Sequence, residues 1–301
     1  MAGEVFTSTI ANQLKDTLDG VVLDPTDVHE CMTEYFEEDT MSDAFVDDLE
    51  MGGMGLFSTK PEGSEIQAGT VREGFLKRYT AMTLAGKLLI TQEAMEDGKY
   101  PEAINMSRHL LRAQKLTVEY DAALVLSRAT NTSFVGGDGV TLANTAHTLP
   151  NGGTWSNMFA TAQSPSRVAL SNGIAQLMGY PGEDGLISPV EPKGIVCPKE
   201  QWATWSGILG SEMDPVDGNF ARINAVKKKY KLDQTVVPYW TNTTTNWYIQ
   251  TKVKRGLRFL WRVKPSTKTW VDNDHTVMKH ARRMRYALGW TNARCMLWSN
   301  S

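Results

Sequence analysis

Cysteine is scarce: Cys31, Cys197 and Cys295 are the three in 301 residues, an odd number, widely separated and with no Cys-x-x-Cys pair. That pattern argues against a disulfide framework and against a zinc knuckle, and predicts free buried thiols. Long hydrophobic runs are missing too. No stretch approaches the roughly 18–20 apolar residues of a membrane span, and Met1–Lys15 lacks a basic flank followed by an apolar segment, so a soluble chain made inside the cell is expected. Catalytic signatures are equally absent: there is no Gly-x-Ser-x-Gly, no His-Glu-x-x-His and no Gly-Lys-Ser/Thr. Gly136-Gly137-Asp138-Gly139 is glycine-rich but follows a helical pattern, whereas a phosphate loop follows a strand, so it is expected to be a tight turn. His147 has no acid or cysteine at catalytic spacing and is expected to be a structural loop residue. Asp272-Asn273-Asp274-His275 lacks the glycine and terminal glutamate of a calcium loop and is expected to be a turn between strands. His275 and His280, five apart, would point to opposite sides of a strand and make no metal pair. No catalytic, cofactor-binding or metal residue is assigned, and an enzyme is not expected.

What is present is a composition of 41% hydrophobic, 22% charged and 9% aromatic residues, which predicts a folded body large enough for one core or two modest domains. The net charge of −3 conceals an asymmetry. Residues 1–50 hold 14 acids and one base, Lys15, whereas 252–294 hold 12 Lys or Arg against Asp272 and Asp274. The two ends attract. Two basic clusters, Lys227-Lys228-Lys229-Tyr230-Lys231 and Arg282-Arg283-Met284-Arg285, could contact phosphates, with Trp261 and Trp270 offering stacking surfaces to a nucleic acid. A solvated face, or neutralisation by the acidic arm of the same or a neighbouring chain, are the competing readings. All nine Trp lie at or beyond position 155 and are expected mainly in the core.

Along the chain, residues 1–55 read as an acidic arm, with Val28, Met32, Tyr35 and Phe36 too apolar for pure solvation. Residues 56–91 are β-friendly and predict a long hairpin, exposed on both faces and so suited to contact another chain. Thr91 can cap a short acidic helix, Gln92–Asp97. A long helix follows from Pro101 to about Arg128, striped by Ile104, Leu111, Val118, Ala122 and Val125. Beyond a polar loop, Ser164 and Pro165 are expected to open a second helix to Gly179. Strand-like pieces at Leu186–Val190, Gly194–Cys197 and Thr235–Pro238, with a helix bearing Trp202, Trp205, Ile208 and Leu209, complete an α/β module over about 161–246. The tail carries strands at Trp247–Val253, Leu257–Val263, Thr276–Tyr286 and Ala293–Trp298, expected as a sheet beside the long helix. The fold class is α+β.

This order of elements resembles the major capsid proteins of tailed phages with the Hong Kong 97-type fold. The sharpest local likeness is to Mu-type major head subunits. In those, a segment like Leu89-Ile90-Thr91-Gln92-Glu93-Ala94-Met95-Glu96-Asp97 precedes the long spine helix. Asn131-Thr132-Ser133-Phe134-Val135-Gly136-Gly137-Asp138-Gly139 then leads to Leu142-Ala143-Asn144-Thr145-Ala146-His147, Gly152-Gly153-Thr154 and Ser156-Asn157; the proline that commonly follows the histidine is here Thr148. The resemblance implies an N-terminal arm at 1–55, an extended β-hairpin loop at 56–91, a peripheral domain with spine helix at 92–160, an axial domain at 161–246, and peripheral strands at 247–301. It implies a head protein whose pentamers and hexamers tile an icosahedral shell around packaged double-stranded DNA, made in the host cytoplasm and residing in the virion. Its partners would be itself, a separate scaffolding protein, a portal and a decoration protein. An encapsulin-like compartment, or a nucleic-acid-binding protein using the basic C-terminal region, are the alternatives.

Overall fold

A proline in the first turn, where its missing N–H costs nothing, and an apolar stripe at helical spacing produce the longest element, the helix Tyr100–Ser127 of 28 residues. At 1.5 Å per residue it is a rod of about 42 Å. The computed structural model describes residues 16–20, 28–66, 68, 71, 73–97, 99–213, 223–241, 243–272 and 277–300. Two four-stranded sheets flank the helix. The first has the order β1 (Glu37–Thr40), β10 (Leu257–Asp272), β11 (Val277–Trp290), β4 (Met82–Thr91), with β1 parallel to β10 and the other pairs antiparallel. The second has the order β12 (Met296–Ser299), β9 (Trp247–Thr251), β7 (Pro192–Pro198), β8 (Asp233–Val237), in which only β7 and β8 run parallel. Helices Arg167–Met178 and Trp202–Gly210 pack Leu170, Ile174, Leu177, Trp205 and Ile208 against Ile195, Trp247, Ile249 and Leu297 of the second sheet. A two-stranded ribbon, β2 (Phe45–Met51) with β3 (Glu73–Thr80), projects from the body.

One core joins both sheets and the long helix: Val118, Ala122 and Leu126 meet Phe259 and Tyr286 from the first sheet and Tyr248 and Trp298 from the second. Six of the nine Trp are buried, as expected for core residues. The short helix Gln92–Glu96 is capped by Thr91, whose hydroxyl accepts from the Ala94 N–H at 3.3 Å.

Several expectations are corrected. The segment 28–51 is no loose arm, because Cys31, Met32, Tyr35 and Phe36 enter the central core. The hairpin over 56–91 does not close on itself: β3 pairs with β2, and β4 pairs with β11, Met278 opposite Ile90 and Arg285 opposite Thr83. The second helix is capped by Ser166, not Ser164, through its hydroxyl and the Ala169 N–H at 3.1 Å. Leu186–Val190 makes only an isolated bridge, Pro181 to Ile187. The late strands divide between the sheets; β9 and β12 complete the α/β module, because their apolar residues Trp247, Ile249 and Leu297 match its helices.

The arm is fastened to the long helix by a buried carboxylate. Glu119 accepts from the Cys31 thiol at 3.2 Å and from the Met32 N–H at 3.1 Å, while Tyr239 donates to the His29 carbonyl at 3.0 Å. Burial, only partly offset by the Cys31 and Met32 bonds, holds the Glu119 carboxyl above its ordinary value of 4.5. A raised carboxyl means that the folded chain keeps its proton to higher pH than the unfolded chain, so this contribution to stability is present at low pH. It is lost as pH rises through the folded value. Glu119→Gln keeps an acceptor for Met32 without the charge. It is expected to remove this decline, so that in urea titrations across pH 4 to 7 the variant gains on the wild type as pH rises; an unchanged difference would refute this.

Candidate assembly surfaces

A polar connector joins the long helix to the module. The Asp138 carboxylate lies 2.6 Å from His147 Nδ1, and the imidazole stacks on Trp155 with ring centroids 5.0 Å apart. The pair is missed by spacing rules because nine residues separate its members; the Asp-Gly turn that swings Asp138 back is the only signal. The pair holds β5 (His147–Thr148) and β6 (Thr154–Trp155) against the glycine turn. At Gly137 a Cβ would stand 3.0 Å from the Leu76 carbonyl, so the turn also fits tightly under the ribbon. Asn157 completes the connector: fully buried, it donates to the carbonyls of Leu142 at 2.7 Å and Ala293 at 3.1 Å and accepts from the Asn144 N–H at 2.9 Å.

The three thiols are buried and free. Burial pushes Cys197 up to about 11 and Cys295 up to about 12, and raises Cys31 with help from the Glu119 charge, so none is a thiolate nucleophile near neutrality. Among the described residues no group of three His, Cys, Asp or Glu could hold a metal. His280 is buried between the Ser107 hydroxyl at 3.1 Å and the Thr269 hydroxyl at 2.8 Å. His275 and the rest of 273–276, on which the expected turn falls, lie outside the described residues. No described helix is long and apolar enough to cross a membrane.

The basic clusters are partly absorbed. Trp261 is not a stacking surface: it is buried in the core and donates its indole N–H to Glu38 at 2.5 Å. Trp270 is exposed, with Lys268 over its ring. Arg282 is buried and Arg283 exposed, and Lys227, at the end of the short helix Ala225–Lys229, donates to the Gly210 carbonyl at 2.6 Å. Acids of 28–51 do meet bases, within the same chain. Asp48 binds Arg258 at 2.6 Å, Asp39 binds the same guanidinium at 2.9 Å, and Lys115 pairs with Glu30.

These acids anchor the ribbon. At its root Asp48 also accepts from the Thr291 hydroxyl at 2.7 Å, which shares a hydrogen bond with the Tyr79 hydroxyl, and Arg294 reaches Glu50 at 3.3 Å. Beyond the root the character changes. Leu56, Phe57 and Ile66 are 84%, 94% and 78% exposed. Among the described residues the ribbon is pinned near its base while these apolar side chains at its tip stay exposed, the character of an interaction surface.

Comparisons with known proteins agree with that geometry. The family described as phage capsid protein matches residues 76–299. No curated protein matches the chain in sequence. Among solved structures, the capsid of the cyanophage P-SCSP1u is similar at a TM-score of 0.60 and 11% identity, over 94% of this chain and 92% of that one. A chain of Mycobacterium phage Che8 is similar at 0.53 and 8% identity, over 94% of each. A virus-like particle from Pyrococcus furiosus is similar at 0.50 and 9% identity, over 98% of this chain and 99% of that one. At these identities the structures speak for the fold, the Hong Kong 97-type fold, and the family match speaks for descent. The chain belongs to the phage capsid protein family, as a major capsid protein of the virion shell.

Proposed function

We propose that this chain assembles, as pentamers and hexamers of one subunit, into an icosahedral head around packaged double-stranded DNA, and that each ribbon lies on a neighbouring subunit. The observation that carries the reading is the apolar ribbon tip, whose Leu56, Phe57 and Ile66 are left exposed by the described residues. Burying a Leu, Ile or Phe side chain contributes about 1.5–3 kcal/mol. Three per ribbon, less the cost of association, is a modest contact that becomes decisive when repeated around a closed shell. Membership of a capsid family is consistent with a structural rather than an enzymatic role. A separate scaffolding protein, a portal and a decoration protein are the partners such a head would use, in the cytoplasm of a bacterial host. The relation to Mu-type subunits rests on the sequence segments Leu89–Asp97, Asn131–Gly139, Leu142–His147 and Gly152–Asn157.

The acidic arm was expected to bridge to neighbouring subunits, and the described part of it, bonded within its own chain, supports a narrower role as the ribbon's anchor. The encapsulin-like compartment stays as the alternative within shell proteins, disfavoured by the phage family match; purified particles holding nucleic acid rather than protein cargo would decide it. The triple variant Leu56→Ser/Phe57→Ser/Ile66→Ser tests the ribbon. Its sites are exposed, so the folded subunit should keep its melting temperature, while shells seen by sedimentation and negative-stain microscopy should fall at least about tenfold. Shells at wild-type yield would refute the ribbon contact.

A further inference from the structure

Two residues apart on β2, Asp48 and Glu50 are tied to different parts of the body. Asp48 is held by Arg258 of the first sheet. Glu50 is held by Arg294, in the short turn Ala293–Cys295 that precedes β12 of the second sheet. The Arg294 guanidinium is buried and ties two segments together: Glu50 near the end of β2, and the loop after helix Arg167–Met178, which it meets at Glu183 and at the Pro181 carbonyl at 3.1 Å. Its Nε is steered by the Asn292 side chain at 3.2 Å. The chain that leaves β2 runs hard against the same loop, since a Cβ on Gly53 would stand 2.9 Å from Asp184 Oδ2. Asn151 of the connector donates to the Asp184 carbonyl at 2.6 Å, which holds the loop from its other side. One anchor would leave the strand free to pivot, and two fix its direction.

We propose that Arg294 is a positioning residue for shell formation: by bridging Glu50 and Glu183 it sets the direction in which the ribbon leaves the body. This rests on the reading that the ribbon contacts a neighbour. The bridge is poor value as a stabilising device. Burial pulls Arg294 below its ordinary value against the pull of Glu50, and burial lifts Glu50 despite Arg294, so each charge is held at the expense of solvation. A planar fork that meets two carboxylates and a carbonyl specifies geometry, which a lysine, a point charge on a flexible stem, does not.

The test uses the full chain, spin-labelled at Ser64→Cys near the ribbon tip and Val168→Cys on the module; both sites are exposed, and the three native thiols are buried from the label. In unassembled Arg294→Met subunits the distance distribution between the labels should broaden at least twofold, and shell yield without labels should drop about tenfold. Arg294→Lys should recover the thermal midpoint but not the narrow distribution. If Arg294→Met fails to fold, Glu183→Ala, which removes the loop's carboxylate and leaves Glu50 on the guanidinium, is expected to give the same broadening and loss of shells. A distribution as narrow as the wild type's in the folded variant, or broadening with wild-type shell yield, overturns the proposal. Normal assembly of the ribbon-tip triple variant would instead refute the underlying contact. Failure of that variant together with normal assembly of the Arg294 variant would refute the positioning role alone.

Discussion

Replacing Asn157 with alanine is expected to lower the stability of the subunit by roughly 3–5 kcal/mol, a loss large enough to threaten the fold, since a domain is typically stable by only about 5–15 kcal/mol. The side chain has no exposed surface. It serves the Leu142 and Ala293 carbonyls and the Asn144 N–H. Alanine leaves all three backbone groups short of that partner in a site closed to water, and each such group costs about 1–3 kcal/mol. The damage is not local, because Asn157 sits where three parts of the chain are sewn together. Its backbone carbonyl accepts from Trp298 at 2.8 Å, which seats β12, and its N–H returns to the Asn144 carbonyl at 3.2 Å. Asn157→Asp keeps one acceptor but loses both donations and adds a buried charge, so it should be no milder. Chemical denaturation of the unassembled subunit measures both; a loss below about 1 kcal/mol for the alanine variant would contradict this account.

Asn157 was visible in the sequence only as the end of a turn-rich motif, and the reason is general to this fold. Elements fixed by neighbours along the chain were legible: Pro101 and a helical stripe gave the long helix, and Thr91 gave the start of a short one. Where two chemically equal choices lay side by side, as with Ser164 and Ser166, local pattern could not choose, and the residue whose hydroxyl meets the Ala169 N–H won. Pairings across long separations were the real loss. Asp47 and Asp48 look like part of a solvated acid run, yet Asp47 forks onto Arg78 across the ribbon at 2.6 Å, and Asp48 crosses some 210 residues to Arg258. The opposed charges of the two ends announced an attraction, but charge is blind to register, so neither the partner arginine nor the strand that β3 would join was readable. Trp261 failed for a related reason. On a strand near basic residues it suggests stacking, and only β1, arriving parallel with Glu38, turns its indole inward.

Loss of the Asp48 carboxylate is the second large effect. Asp48 is buried, and it gathers Arg258 at 2.6 Å, Arg255 at 3.3 Å and the Thr291 hydroxyl at 2.7 Å around one carboxylate. Burial pulls Arg258 down, yet the Asp48 hydrogen bond and charge hold it above its ordinary value, the opposite direction from Arg294 beside Glu50. Asp48→Ala leaves the Arg258 guanidinium largely buried with only the exposed Asp39 for compensation, and breaking a buried pair from one side costs about 3–5 kcal/mol. Asp48→Ala/Arg258→Met removes both charges and fills the arginine's volume with an apolar chain. The double variant should therefore be more stable than Asp48→Ala alone, by roughly 1–3 kcal/mol in a double-mutant cycle read from urea midpoints. A double variant no more stable than the single one would mean that water reaches the ribbon root. The two charge pairs then divide the labour: Asp48 holds the ribbon on, and Glu50 through Arg294 aims it. Asp48→Ala should depress stability and assembly together, whereas Glu183→Ala should depress assembly out of proportion to stability.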